Sequence, residues 1–172
     1  MQKYSIIYWY DGKEQIKKWI EEIGANEYRK DREPFDCLLW YTLVGKKNLL
    51  VTLFKTHQFN SKEHAAIFTF LQRDFNEPKN QSAAVKNAYV LIDKKRYLHA
   101  LAFFIYGNKF EEALSLCLTK IKDINLAMLI CIMCNYEKTK IFEVLENDGD
   151  IWMKHISLFL KGKHIRSFNC LF

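Results

Sequence analysis

Proline is nearly absent, with two in 172 residues, and glycine is scarce at six. So few turn formers exclude a fold of many short strands and favour helices separated by a small number of breaks. Long apolar runs are missing too. The longest, Leu126 to Cys134 (LAMLICIMC), is far below the roughly 18–20 residues that cross a bilayer. The opening MQKYSIIYWYDG has too short an apolar stretch for a secretory signal, so a soluble intracellular protein is expected. The five cysteines (37, 117, 131, 134 and 170) are odd in number and lie mostly in apolar segments. That pattern belongs to thiols in a reducing compartment and excludes a disulfide framework. Phosphate-cradling glycine loops, GxSxG and HExxH are all absent. No catalytic residue, cofactor or metal is therefore assigned.

What is present is core. Hydrophobic residues make up 49% and aromatics 15%, which excludes general disorder and supplies one domain with an interior. The formal charge of +6 is a mild bias and does not by itself mark a nucleic-acid binder.

The stretch Phe103 to Leu114 (FFIYGNKFEEAL) shows how the chain is organised. Four β-favouring residues before Gly107-Asn108 resemble a hairpin signal, but the period decides otherwise. Positions 110, 113, 114, 117, 118 and 121 are apolar, with Glu111, Glu112, Ser115, Thr119 and Lys120 opposite, a helical stripe. Tyr97 to Tyr106 (YLHALAFFIY) is apolar all round, as in a buried helix. Gly107 is then expected as a left-handed glycine that stops one helix while the next begins at Asn108. Gly45 and Gly162 stand in the same setting.

Other segments follow the helical rule. Ile16, Trp19, Ile20 and Ile23 form one stripe, and Pro34 opens another carrying Phe35, Leu38 and Leu39. Ser61 opens a helix bearing Ala65, Phe68, Leu71 and Phe75; Ala84, Val85, Ala88, Leu91 and Ile92 lie on the next. Asp123 caps an apolar helix ending near Tyr136, and Trp152, Ile156, Phe159 and Leu160 mark a late one. About ten helices result, each too short to stand alone. The expected fold is all-α: a solenoid of stacked helical hairpins spanning residues 13–172 after a tail at 1–12. Its last segment ends on apolar residues without a cap, which reads as a piece of a longer array.

Candidate sites are weighed against plainer roles. Cys131 and Cys134 make a CxxC, the mark of a redox pair or half a zinc site. With no second CxxC and with Leu, Ile and Met around them, they read as buried core thiols. Asp36 and Cys37 are adjacent, but no base is placed beside them. The histidines 57, 64, 99, 155 and 164 form no metal-ligand spacing, and Glu21-Glu22 and Glu111-Glu112 read as solvated faces. The lysines carry more. Lys46, Lys47, Lys109, Lys161 and Lys163 cluster at the turn glycines, where cations stabilise helix C-termini by about 0.3–1 kcal/mol each. If alternate turns share one edge, they also form a positive strip suited to an acidic protein partner. Phe168 and Phe172, on the uncovered last helix, are a candidate self-association surface.

Three passages go beyond generic helix pairs: Pro34 to Lys55, Phe70 to Phe104 and Phe110 to Ile130. Within them Asp36-Cys37 with Leu39, the Gly45-Lys46-Lys47 turn, Ala84 to Ala88 (AVKNA) and Asp123 to Ala127 (DINLA) carry a likeness. Over about residues 8 to 136 the chain resembles the helical region that follows the β-propellers in the large subunit of the RAVE complex and in the DmX-like, or rabconnectin, proteins. Pro78-Lys79-Asn80 and Cys131 to Cys134 depart from that pattern. The resemblance implies a non-enzymatic scaffold promoting assembly of the vacuolar proton-pumping ATPase. Its implied partners are the ATPase peripheral sector and other RAVE-type subunits. Its implied place is the cytoplasm, peripheral to vacuolar and endosomal membranes. A vesicle-coat solenoid and, from charge alone, an RNA-binding helical repeat are the alternatives. No nucleic acid is expected.

Overall fold

The computed structural model describes residues 12–136. Among them are eight α-helices and no strand: α1 (Lys13–Asp31), α2 (Pro34–Leu43), α3 (Lys47–His57), α4 (Lys62–Leu71), α5 (Pro78–Asp93), α6 (Tyr97–Tyr106), α7 (Phe110–Leu116) and α8 (Ile124–Cys134). The chain is all-α, as its apolar period requires. The late helix near Trp152 and the segment around Gly162 lie outside the described residues.

Local chemistry sets the helix starts. Pro34 occupies the first turn of α2, where its missing N–H costs nothing. Before it, the Glu33 carboxylate accepts from the Phe35 N–H at 3.1 Å. Ser61 Oγ accepts from the His64 N–H at 3.2 Å, and Asp123 Oδ1 from the Leu126 N–H at 3.0 Å. Each satisfies an amide that the helix leaves without a partner.

α2, α6 and α8 are apolar nearly all round, and the first two lie at the centre. α2 packs against α1, α3, α6 and α8, and α6 packs against α5, α2 and α7. Leu38, Leu101, Phe104, Leu114 and Ile130 are among the fully buried side chains there. The chain forms antiparallel hairpins, but their contacts are not limited to sequence neighbours. α2 lies against α6, and α1 reaches α8, whereas a linear stack keeps such pairs apart.

Two glycines do different work at the turns. Gly45 has φ +73° with open space around it, a conformation that side chains with a Cβ adopt at a cost. Gly107, expected to be left-handed, is not: its φ is −84°, and Asn108 takes the left-handed position at φ 52°. The next helix starts after Lys109 rather than at Asn108. The reason for glycine at 107 is room. A Cβ there would lie 2.6 Å from Val85 Cγ2 and 3.2 Å from the Gln81 carbonyl oxygen of α5. The same hydrogen-bond pattern closes three turns in spite of their different residues. Lys46 N–H donates to Tyr41 O, Arg96 N–H to Leu91 O and Lys109 N–H to Phe104 O. Gly45, Lys95 and Asn108 supply the left-handed residue in turn.

Gly107→Ala is expected to cost about 1–3 kcal/mol through overpacking, read as a lowered melting temperature. Adding Val85→Ala should recover part of that loss. No recovery would show that backbone conformation, not space, selects glycine there.

The apolar stripe from Phe110 also changes character midway. At Cys117–Ile121 the helix widens into a π-turn, closed by the Lys122 N–H on Cys117 O. A left-handed Lys122, φ 57°, then hands over to the Asp123 cap of α8.

Candidate interaction surfaces

Antiparallel pairing puts the turns after α2, α4 and α6 on one edge. Lys47 Nζ donates to Arg73 O at 2.8 Å, just past α4, and lies 5.2 Å from the centre of the Phe75 ring. Phe75 stacks on Tyr106 at 4.5 Å, and Tyr106 Oη lies 3.3 Å from Thr42 Oγ1. The expected juxtaposition of alternate turns is therefore present here.

The lysines on this edge have partners of their own. Lys46 pairs with Glu21 at 2.7 Å and Lys109 with Glu112 at 3.7 Å. Lys47 serves the end of α4, the helix-terminus role open to any of these lysines. The turn after α4 also carries Asp74 and Glu77, so the edge is mixed in sign. Lys161, Lys163, Phe168 and Phe172 lie outside the described residues.

The opposite edge holds a constellation that the sequence did not reveal. His57 from α3 and His64 from α4 stack with ring centres 6.2 Å apart, and His64 and His99 both pack on Phe35, at 5.1 and 5.3 Å. Phe54 meets Phe35 edge-on at 5.1 Å, and Tyr28 meets His57 at 6.2 Å. Five helices converge here.

Hydrogen bonds fix the rings. The Glu33 carboxylate only accepts, so His64 Nε2–H donates to Glu33 Oε1 at 3.0 Å. In the neutral ring this leaves Nδ1 to accept from the Ser61 hydroxyl at 2.7 Å, whose oxygen also accepts from the His64 backbone N–H. Glu33 thus caps α2 and holds α4 with one carboxylate. Arg96 Nε–H donates to His99 Nδ1 at 3.0 Å, while the guanidinium lies 4.7 Å from the Phe35 ring centre and pairs with Glu63. Burial pushes the His99 imidazole down to about 4, and the neighbouring Arg96 charge adds to the shift. His99 is therefore a neutral acceptor at neutral pH.

The signals available in sequence were the (i, i+3) pairs Ser61/His64 and Arg96/His99 at helix starts. What joined them was packing between helices distant along the chain.

The thiols are placed for packing. Cys37 and Cys131 are buried, and Cys37 Sγ donates to Pro34 O at 3.2 Å. Burial pushes the Cys37 thiol up to about 12, Cys134 to about 11, and raises Cys117 further. A thiol held protonated is a poor nucleophile and a poor metal ligand. Among the described residues no group of three or more His, Cys, Asp or Glu is arranged to hold a metal ion. No helix there is long and apolar enough to cross a membrane.

Comparison with known proteins agrees with the likeness carried by the motifs. The family described as RAVE protein 1 C terminal matches residues 1–149. The chain is 32% identical over 132 residues to the Saccharomyces cerevisiae protein named Regulator of V-ATPase in vacuolar membrane protein 1, covering 76% of this chain and 10% of that one. The Schizosaccharomyces pombe protein of the same name is 30% identical over 130 residues, covering 74% and 10%. Mouse DmX-like protein 1 is 28% identical over 133 residues, covering 77% and 4%. The chain thus spans a tenth or less of the length of these relatives.

Proposed function

This chain belongs to the RAVE protein 1 C-terminal family, and from that premise we propose that it is a non-catalytic scaffold in the assembly or regulation of the vacuolar proton-pumping ATPase. One observation carries the reading: the family match takes in residues 1–149, and its fungal relatives are named as regulators of that ATPase. The protonated thiols and the internally satisfied histidine edge are consistent with a role in binding rather than catalysis. On this reading the partners are subunits of the ATPase peripheral sector and other RAVE-type subunits. The protein works in the cytoplasm, peripheral to vacuolar and endosomal membranes.

Affinity purification of the full chain from cells tests the reading. ATPase peripheral-sector subunits should co-purify; vesicle-coat subunits in their place would favour a trafficking scaffold and overturn it.

The lysine edge is the proposed contact surface. Lys46 and Lys109 are the exposed members, whereas Lys47 supports α4. Lys46→Glu with Lys109→Glu is expected to slow association with the peripheral sector about tenfold at low salt. The difference from the parent should shrink at physiological ionic strength, where the Debye length is about 8 Å. Helicity should not change. Equal rates at low salt would place the contact elsewhere. Lys161 and Lys163 are assigned to the same strip, and their reversal to Glu should act in the same direction.

Phe168 and Phe172 are proposed as a self-association surface. Sedimentation at rising concentration should show oligomers that decrease when both become Ser. A parent that stays monomeric would remove this proposal.

A further inference from the structure

A groove of about 270 Å³ opens between α2, α6, the π-turn and α8. Trp40, Leu98, Ile121, Leu126 and Leu129 line it, together with Asn125 and Asp123. Leu98 is 46% exposed, although Ala100 to Phe104 of the same helix are all buried. Among the described residues Asp123 is the one charged residue lining the groove. Its Oδ1 caps α8, which fixes the orientation of its carboxylate.

We propose that this groove is the docking site for the chain's own segment Trp152–Leu160. Three observations select it. First, Trp152, Ile156, Phe159 and Leu160 fall at i, i+4, i+7 and i+8, the spacing of a helix that lays one face into an apolar groove. Second, residues 151–172 contain Lys154, Lys161, Lys163 and Arg166 and no Asp or Glu, which suits a groove whose one charge among the described residues is a carboxylate. Residues 1–11, the other apolar stretch outside the described residues, have one Lys and one Asp and no comparable stripe. Third, the span can be bridged. α8 is 11 residues long, about 16 Å at 1.5 Å per residue. The 15 residues from 137 to 151 reach up to about 50 Å when extended. The groove lies within the family match, while residues 150–172 lie beyond it.

The test uses the full chain with a photo-crosslinking benzophenone residue in place of Leu98, illuminated at low protein concentration and mapped by mass spectrometry. A crosslink within one chain to a peptide from residues 151–172 is expected. It should be lost when Trp152 and Phe159 become Asp, with helicity unchanged by circular dichroism. A crosslink to residues 1–11, a crosslink to a second copy, or none at all from a helical chain would overturn the proposal. If the Leu98 variant loses helicity, the probe at Asn125, on the same groove, decides between the same outcomes.

Discussion

Phe54→Ala is expected to lower the free energy of unfolding by about 3–5 kcal/mol, the range for emptying a buried aromatic site. Phe54 is fully buried on α3, touching Phe35 of α2 edge-on at 5.1 Å and His64 of α4 at 6.1 Å. It is one of the side chains through which the α3–α4 hairpin holds the rest of the fold, alongside Phe70, which stacks on Phe103 of α6 at 4.8 Å. Such pairs add about 0.5–1.5 kcal/mol beyond their buried area. The loss should therefore exceed that of Leu50→Ala, which empties an equally buried aliphatic site. Denaturant unfolding of the two variants checks this. A loss below about 1 kcal/mol for Phe54→Ala would mean that the hairpin is held elsewhere. Because α4 carries His64 and Glu63, the cavity should also loosen the whole histidine edge, seen as faster amide exchange in α4.

Acid should weaken the protein through His99. Its folded pKa is about 4, below the ordinary value of about 6.5. As pH falls the unfolded chain takes the proton first. The stabilising contribution of neutral His99 is thus complete above about pH 6.5, declines through pH 5 and is exhausted near pH 4. At about 1.4 kcal/mol per unit, the loss between pH 7 and 5 is at most about 2 kcal/mol, less what solvent screening at this partly exposed site removes. Arg96 faces the ring directly, and Glu63 and Glu33 oppose the shift from α4 and from the turn before α2. His99→Gln keeps an acceptor for Arg96 and cannot titrate. Chemical denaturation at pH 7 and pH 5 should show a flatter pH dependence for it than for the parent. Equal slopes would assign the acid sensitivity to other groups.

The helices were legible because their signals are local. Tyr97 to Tyr106 could be bounded from an unbroken apolar run, and Pro34, Ser61 and Asp123 announced helix starts by chemistry that acts within three residues. Gly107 shows where local reading ends. Glycine answers two different demands, a left-handed backbone and an absent Cβ, and a sequence does not say which. The second demand depends on Val85 and Gln81, which only the packing of α5 on α6 brings near. The histidine edge was illegible for the same reason. His57, His64 and His99 sit on three helices; Phe35, the shared partner of His64 and His99, belongs to a fourth, and His57 joins by stacking on His64. Lys46, Lys47 and Lys109 were rightly placed at turns, but their individual partners, Glu21, the Arg73 carbonyl and Glu112, were not foreseeable.

The widened turn at Cys117–Ile121 fits one more residue into a turn than the helix it continues. It is therefore a place where the chain can gain or lose a residue. Deleting Thr119, which is exposed and donates only to Ser115 O within its own helix, would let the ladder close as ordinary α-helix. Each residue turns a helix by about 100°, so an extra residue within α7 or α8 would swing Leu114 or Leu126 out of the interior. At 117–121 the same change is taken up by the width of the turn. Length variation in this part of the chain has one place where it leaves both helices seated, and that place forms a wall of the groove.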